Sequence, residues 1–136
     1  MLKTAILWPT IAQALLIFAA YVVLFRARRD AVARGEVVST DFAPWDEPAA
    51  SAAGRRLLAN QFELPVLFFV VVGFLFLIDG VSLIEVAIAW AFVTSRLFHM
   101  LGSLRGPLVL RHIAFFIGFV LVAALWVDLA LRLLRV

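Results

Sequence analysis

Four long apolar stretches separated by short polar breaks dominate the chain: Thr4–Phe25, Leu57–Ile78, Val81–Leu101 and Val109–Leu131. Each reaches the roughly 20 residues that a helix needs to cross the hydrocarbon core of a bilayer. The pattern predicts an all-α membrane protein, a four-transmembrane-helix bundle forming a single domain over residues 1–136. The breaks set the neighbours. Asp79-Gly80 predicts a tight turn that makes the second and third spans antiparallel neighbours, and Gly102-Ser103-Leu104-Arg105-Gly106-Pro107 closes a second hairpin between the third and fourth. Pro9 falls in the first turns of the first span, where a missing N–H is tolerated. Lys3 ahead of an apolar run is a signal-peptide feature, but the run is too long for an h-region and no small-residue cleavage site follows. The first span is therefore expected to stay attached.

Charge adds an orientation. The segment Arg26–Arg56 holds six arginines and the next break adds Arg105 and Arg111, eight in all, against Lys3, Arg132 and Arg135 on the other side. Arginine-rich short loops stay cytoplasmic. The expectation is a cytoplasmic loop over 26–56 with both termini periplasmic, in a bacterial inner membrane. That loop carries Pro44, Pro48 and an Ala-rich stretch around Trp45-Asp46-Glu47, which predicts an irregular surface segment with Trp45 at the headgroup level. Composition narrows the classes further. At 65% hydrophobic and 15% charged, with mean hydropathy +1.09, the chain departs from the roughly 45–50% apolar and about 25% charged residues of soluble domains. The absence of cysteine excludes disulfides, thiolate metal sites and a cysteine nucleophile. Cations interrupted by lipid-facing runs make nucleic acid an unsuitable partner, so no nucleic acid is expected.

Charges inside the spans carry the chemical information, because a charge facing lipid near the bilayer centre costs about 2.5–3.5 kcal/mol or more. On the second span Arg56, Asn60 and Glu63 stand at i, i+4 and i+7 and share one face. The third span places Arg96 and His99 close to its inner end, and the fourth begins on that side with Arg111-His112. All three clusters reach the same depth and are candidates for one polar pocket. Two readings coexist: Arg55, Arg56, Arg105, Arg111 and His112 as interfacial anchors, or a ligand site built from the same depth of three helices. Asn60 with Glu63 reads as an interhelical polar clamp, alone or as part of that site. Arg96 lies too deep to snorkel and is expected to pair with Glu63. Glu85, 11 residues before Arg96, falls on nearly the same face and extends the polar stripe outward, toward a water-filled cavity or an inter-subunit bond. Asp128 and Arg132 are expected to pair at i, i+4, and Gln13 to bond between helices. The phenylalanines at 68, 69, 74, 76, 115 and 116 read as lipid-facing or packing residues. His99 and His112 have no matching carboxylate spacing, so no metal is expected.

The order Arg56-x3-Asn60-x2-Glu63-x-Pro65, then Arg96-x2-His99, then Arg111 resembles the MAPEG family, membrane-associated proteins in eicosanoid and glutathione metabolism. The likeness runs from the first span through the fourth and is nearest to the short bacterial branch with Asn-Gln-Phe-Glu-Leu-Pro on the second helix. It implies a homotrimer with glutathione as co-substrate at the subunit interfaces near the cytoplasmic side. It also implies transferase or peroxidase-like chemistry on a lipophilic small molecule drawn from membrane lipid. By position, Arg56, Asn60, Glu63, Arg96 and His99 match the binding residues, and Arg111 matches the catalytic arginine that activates the thiol. The tyrosines that contact ligand in eicosanoid-type members are missing, the one tyrosine here being Tyr21. A non-catalytic lipid-binding or scaffold protein of the same fold is the alternative. A small exporter is disfavoured, because the first span offers Gln13 where such proteins need a carboxylate.

Overall fold

The computed structural model describes residues 2–37, 42 and 46–135, and every long element in it is helical. A single turn, α1 (Leu2–Ala5), leads into α2 (Leu7–Ala33), followed by α3 (Ala49–Leu77), α4 (Leu83–Leu104) and α5 (Leu108–Leu133). All four long helices are long and apolar enough to cross a membrane. Large apolar side chains such as Leu15, Phe18, Phe74, Phe116 and Val127 point outward, the arrangement lipid demands.

The first two helices outrun their apolar windows. The connection expected over 26–56 retreats to residues 34–48, because α2 continues through Arg26, Arg28 and Arg29 to Ala33 and α3 already starts at Ala49. Arginine and alanine are strong helix formers, so charge ends the hydropathy signal without ending the helix. Trp45 and Pro44 lie outside the described residues. Glu47 ties what remains of the connection to both helices: its carboxylate, 1% exposed, accepts from Ser51 Oγ at 2.6 Å, Arg55 Nε at 2.7 Å and Arg28 Nη2 at 3.4 Å. Burial acts to raise the pKa of this carboxyl, but the three hydrogen bonds outweigh it and hold the group below the ordinary carboxylate range.

Around the bundle α2 packs on α3, α3 on α5, α5 on α4 and α4 on α2. The second and third spans are thus antiparallel but stand across a diagonal, not side by side as the tight turn predicts. The chain leaves α3 through Asp79 at φ 56°, with Gly80 N donating back to Leu75 O at 2.9 Å, before Ser82 starts α4. Large side chains bridge the diagonal, with the Phe68 and Phe92 rings stacked at 4.4 Å within a core that includes Leu64, Val71, Leu75, Ala89 and Leu125. Small residues do the opposite between α4 and α5. A Cβ on Gly118 would meet Ser95 Oγ at 2.8 Å, and one on Gly102 would lie 3.1 Å from the Arg111 nitrogen. Such close approach is how helices associate in lipid, where no hydrophobic drive separates helix from tail. The expected interhelical bond of Gln13 forms, its Nε2 donating to Gln61 Oε1 at 3.1 Å.

At the end of the bundle that carries the termini, charges close on one another. Arg132 donates to Asp128 Oδ2 and to Glu85 Oε1, each at 2.7 Å. The Asp128–Arg132 pair is the one its i, i+4 spacing predicts. Glu85 does not extend a polar stripe. It closes a capping box with Ser82 at the start of α4, a Ser-x-x-Glu signature that uses its carboxylate to satisfy the helix N-terminus.

Candidate functional site: a polar cleft between three helices

At the opposite end, where the α2–α3 and α4–α5 connections lie, a cleft of about 450 Å³ opens between α3, α4 and α5. Each wall follows from helical periodicity. Arg56, Asn60 and Glu63 come from α3, His99 and Ser103 from the last turns of α4, and Arg111, His112 and Phe115 from the first turns of α5. The α4–α5 hairpin sets the third wall, since the backbone contact at Gly102 seats Arg111 against α4. Five of the six residues singled out by depth and periodicity therefore line one space: Arg56, Asn60, Glu63, His99 and Arg111.

Arg96, the sixth, stands behind that space. Its side chain is fully buried, and Nη2 donates to the main-chain carbonyl of Asn60 at 2.8 Å. The expected ion pair with Glu63 does not form. Glu63 lies on the exposed side of α3, whereas the guanidinium reaches α3 from the core and finds backbone first. Proline at 65 removes the N–H that would serve the carbonyl of Gln61, so the helix ladder is already open beside Asn60. The guanidinium carbon also lies 5.8 Å from the Phe115 ring centroid, within cation–π range, while Nε and Nη1 have no hydrogen-bond partner among the described residues.

The cleft's charges are unlike those at the other end. Among the described residues, Arg56, Glu63 and Arg111 make no ion pair within 4.0 Å. His99 is 3% exposed and its Nδ1 has no hydrogen-bond partner among the described residues. Two arginines, one carboxylate, an amide and two imidazoles thus surround an open space with bonding capacity to spare, which suits a ligand bearing both negative and positive groups. No group of three or more potential metal ligands occurs among the described residues.

Ser103 and Phe115 were not picked out by charge and depth. Ser103 stands four residues after His99 and Phe115 four after Arg111, so the i, i+4 rule places each on the face of a named candidate. Phe115 is part of the cleft wall and not merely a packing residue, and His112, singled out with Arg111 by depth, lines the same space.

No curated protein and no solved structure gives a significant match to the chain. The family model of MAPEG matches residues 5–131. That span takes in α2, α3, α4, all but the last two residues of α5, and every residue of the cleft. Proteins of this kind are four-helix membrane bundles, and they include glutathione transferases and peroxidases as well as non-catalytic members. With nearly its whole length matched and its four apolar helices in the expected bundle, this multi-pass integral membrane protein belongs to the MAPEG family.

Proposed function

We propose that the protein is a glutathione-dependent membrane transferase or peroxidase-like enzyme acting on lipophilic electrophiles. The observation that carries this reading is the cleft in which Arg56, Glu63 and Arg111 stand without countercharges among the described residues. Glutathione brings two carboxylates and an ammonium. Arg56 offers a planar fork to a carboxylate, Glu63 a partner for the ammonium, and Asn60 and His99 the remaining hydrogen bonds. Arg96 contributes from behind, holding the Asn60 backbone in place. Arg111 acts on sulfur: a guanidinium beside the thiol favours the thiolate, which is the nucleophile. With an aryl halide the thiol proton passes to water, sulfur bonds to the ring carbon, and halide leaves with the bonding pair. The protein works as a homotrimer in a bacterial inner membrane, with the cleft end cytoplasmic, the termini periplasmic and each cleft completed at a subunit interface.

The test is calorimetric titration of detergent-purified protein with glutathione, followed by a conjugation assay with a generic aryl halide. Saturable binding and turnover are expected. Absence of binding at millimolar glutathione overturns the reading in favour of a non-catalytic lipid-binding or scaffold role.

A further inference from the structure

Eight arginines lie at the cleft end of the bundle outside Arg96, and they divide sharply. Arg28 and Arg55 share Glu47, Arg29 meets Asp30, and Arg34 meets Glu36. The other four, Arg26, Arg56, Arg105 and Arg111, make no ion pair within 4.0 Å among the described residues. These four sort into two pairs, each lining its own cavity. Arg56 and Arg111 line the cleft above, whereas Arg26 and Arg105 line a separate groove of about 440 Å³ between α2 and the end of α4.

That second groove has a different chemistry. Its remaining lining is Val23, Leu101 and Leu104, with no acidic group and no amide. Arg26 directly follows the apolar run ending at Phe25, and Arg105 caps the C-terminus of α4, so both guanidiniums stand where a span leaves the membrane. Below them the floor continues into the bilayer zone. Leu101 and Leu104 are 48% and 43% exposed, and Leu97, one turn deeper on the same face, is 41% exposed. Two fork-shaped cations from separate helices fit a phosphate, whose oxygens accept bidentate hydrogen bonds. An apolar floor directly beneath them fits an acyl chain, which free phosphate would leave uncovered. We propose that this groove binds an anionic phospholipid, with its phosphate between Arg26 and Arg105 and one chain along Val23, Leu101 and Leu104.

The proposal is independent of the glutathione reading, and its test keeps the two apart. Purified wild-type protein is exchanged into mixed micelles of phosphatidylglycerol and phosphatidylcholine, and retained lipid is read by native mass spectrometry. Retention of phosphatidylglycerol over phosphatidylcholine is expected. The double variant Arg26→Gln, Arg105→Gln should lose that preference by at least about tenfold, given roughly 1 kcal/mol for each interfacial cation. Leu101→Trp, which fills the floor and keeps both arginines, should lower retention of the lipid without lowering the binding of inorganic phosphate. Equal retention by wild type and double variant overturns the proposal. So does displacement of the lipid by millimolar inorganic phosphate, which marks a free-anion site. Glutathione titration of the same samples should give unchanged affinity, so failure of the cleft assignment leaves the lipid result readable.

Discussion

At the terminal end of the bundle Arg132 reaches Glu85 and Asp128, each at 2.7 Å, and Ser82 and Glu85 satisfy the start of α4. At the cleft end Arg56, Glu63 and Arg111 surround about 450 Å³ of space and touch no countercharge within 4.0 Å among the described residues. Residue types are the same; the difference is whether the fold supplies the partner. Where it does, removing one charge strands another, and stability suffers. Where it does not, the charges cost the fold whatever their desolvation costs, and a ligand stands to gain from them. Stability and ligand readouts should therefore separate along the membrane normal.

The largest effect expected is on chemistry at the open end. Arg111→Ala should lower glutathione conjugation about 10²-fold or more while changing affinity far less, if as proposed it acts on charge developing at sulfur. Its melting temperature in detergent should stay near that of wild type, since no ion pair is lost. Next comes the closed end. Arg132→Met leaves the carboxylate of Glu85, 4% exposed, beside that of Asp128 without their shared cation. Breaking a buried pair typically costs about 3–5 kcal/mol, and partial exposure of Arg132 lowers this to about 2–3 kcal/mol, measurable as resistance to denaturing detergent. Glutathione affinity should not move. If Arg132→Met abolishes binding, the separation of the two ends is wrong.

A smaller change is expected at Glu63. With Arg96 held by the Asn60 carbonyl, Glu63→Gln strands no buried cation, so calorimetry should show weakened glutathione binding, by about three- to tenfold, with stability within about 0.5 kcal/mol of wild type. The smallest effect is a local one in pH. Glu47 has its carboxyl pKa depressed in the folded state, below the ordinary 4.5, so its tether contributes fully above that value and is lost as pH falls through the lower, folded one. Hydrogen exchange at the start of α3 should be flat from pH 7 to pH 5 once corrected for intrinsic rates, then accelerate in more acidic buffer. Glu47→Gln should show the faster exchange at neutral pH.

Much of this architecture is legible in the chain because lipid makes the rules strict. Twenty apolar residues specify a span, and a charge inside one must face protein or water, so Arg56, Asn60, Glu63, His99 and Arg111 can be assigned a common depth from position alone. Depth and face do not specify reach. Arg96 can extend across the diagonal to several acceptors, and only packing decides that it meets the Asn60 carbonyl and leaves Glu63 on the outer surface. Glu85 fails for another reason: helical arithmetic aligns it with Arg96, but three residues after Ser82 the backbone N–H groups of the helix start compete for its carboxylate and win. Helix ends at Ala33 and Ala49 escape hydropathy because water tolerates a helix as well as lipid does.

Those unequal lengths have a kinetic consequence. At about 1.5 Å per residue, α3 with 29 residues runs roughly 43 Å and α4 with 22 only about 33 Å. A bilayer core of about 30 Å is nearly matched by α4 and exceeded by α3, whose early turns carry Ala53 and Arg56 of the cleft wall. Under the proposed function, a hydrophilic tripeptide would arrive from solution along α3 while an oily co-reactant enters from the membrane side. With separate routes neither arrival obstructs the other, and initial-rate plots should describe a random-order ternary complex with no obligatory first substrate.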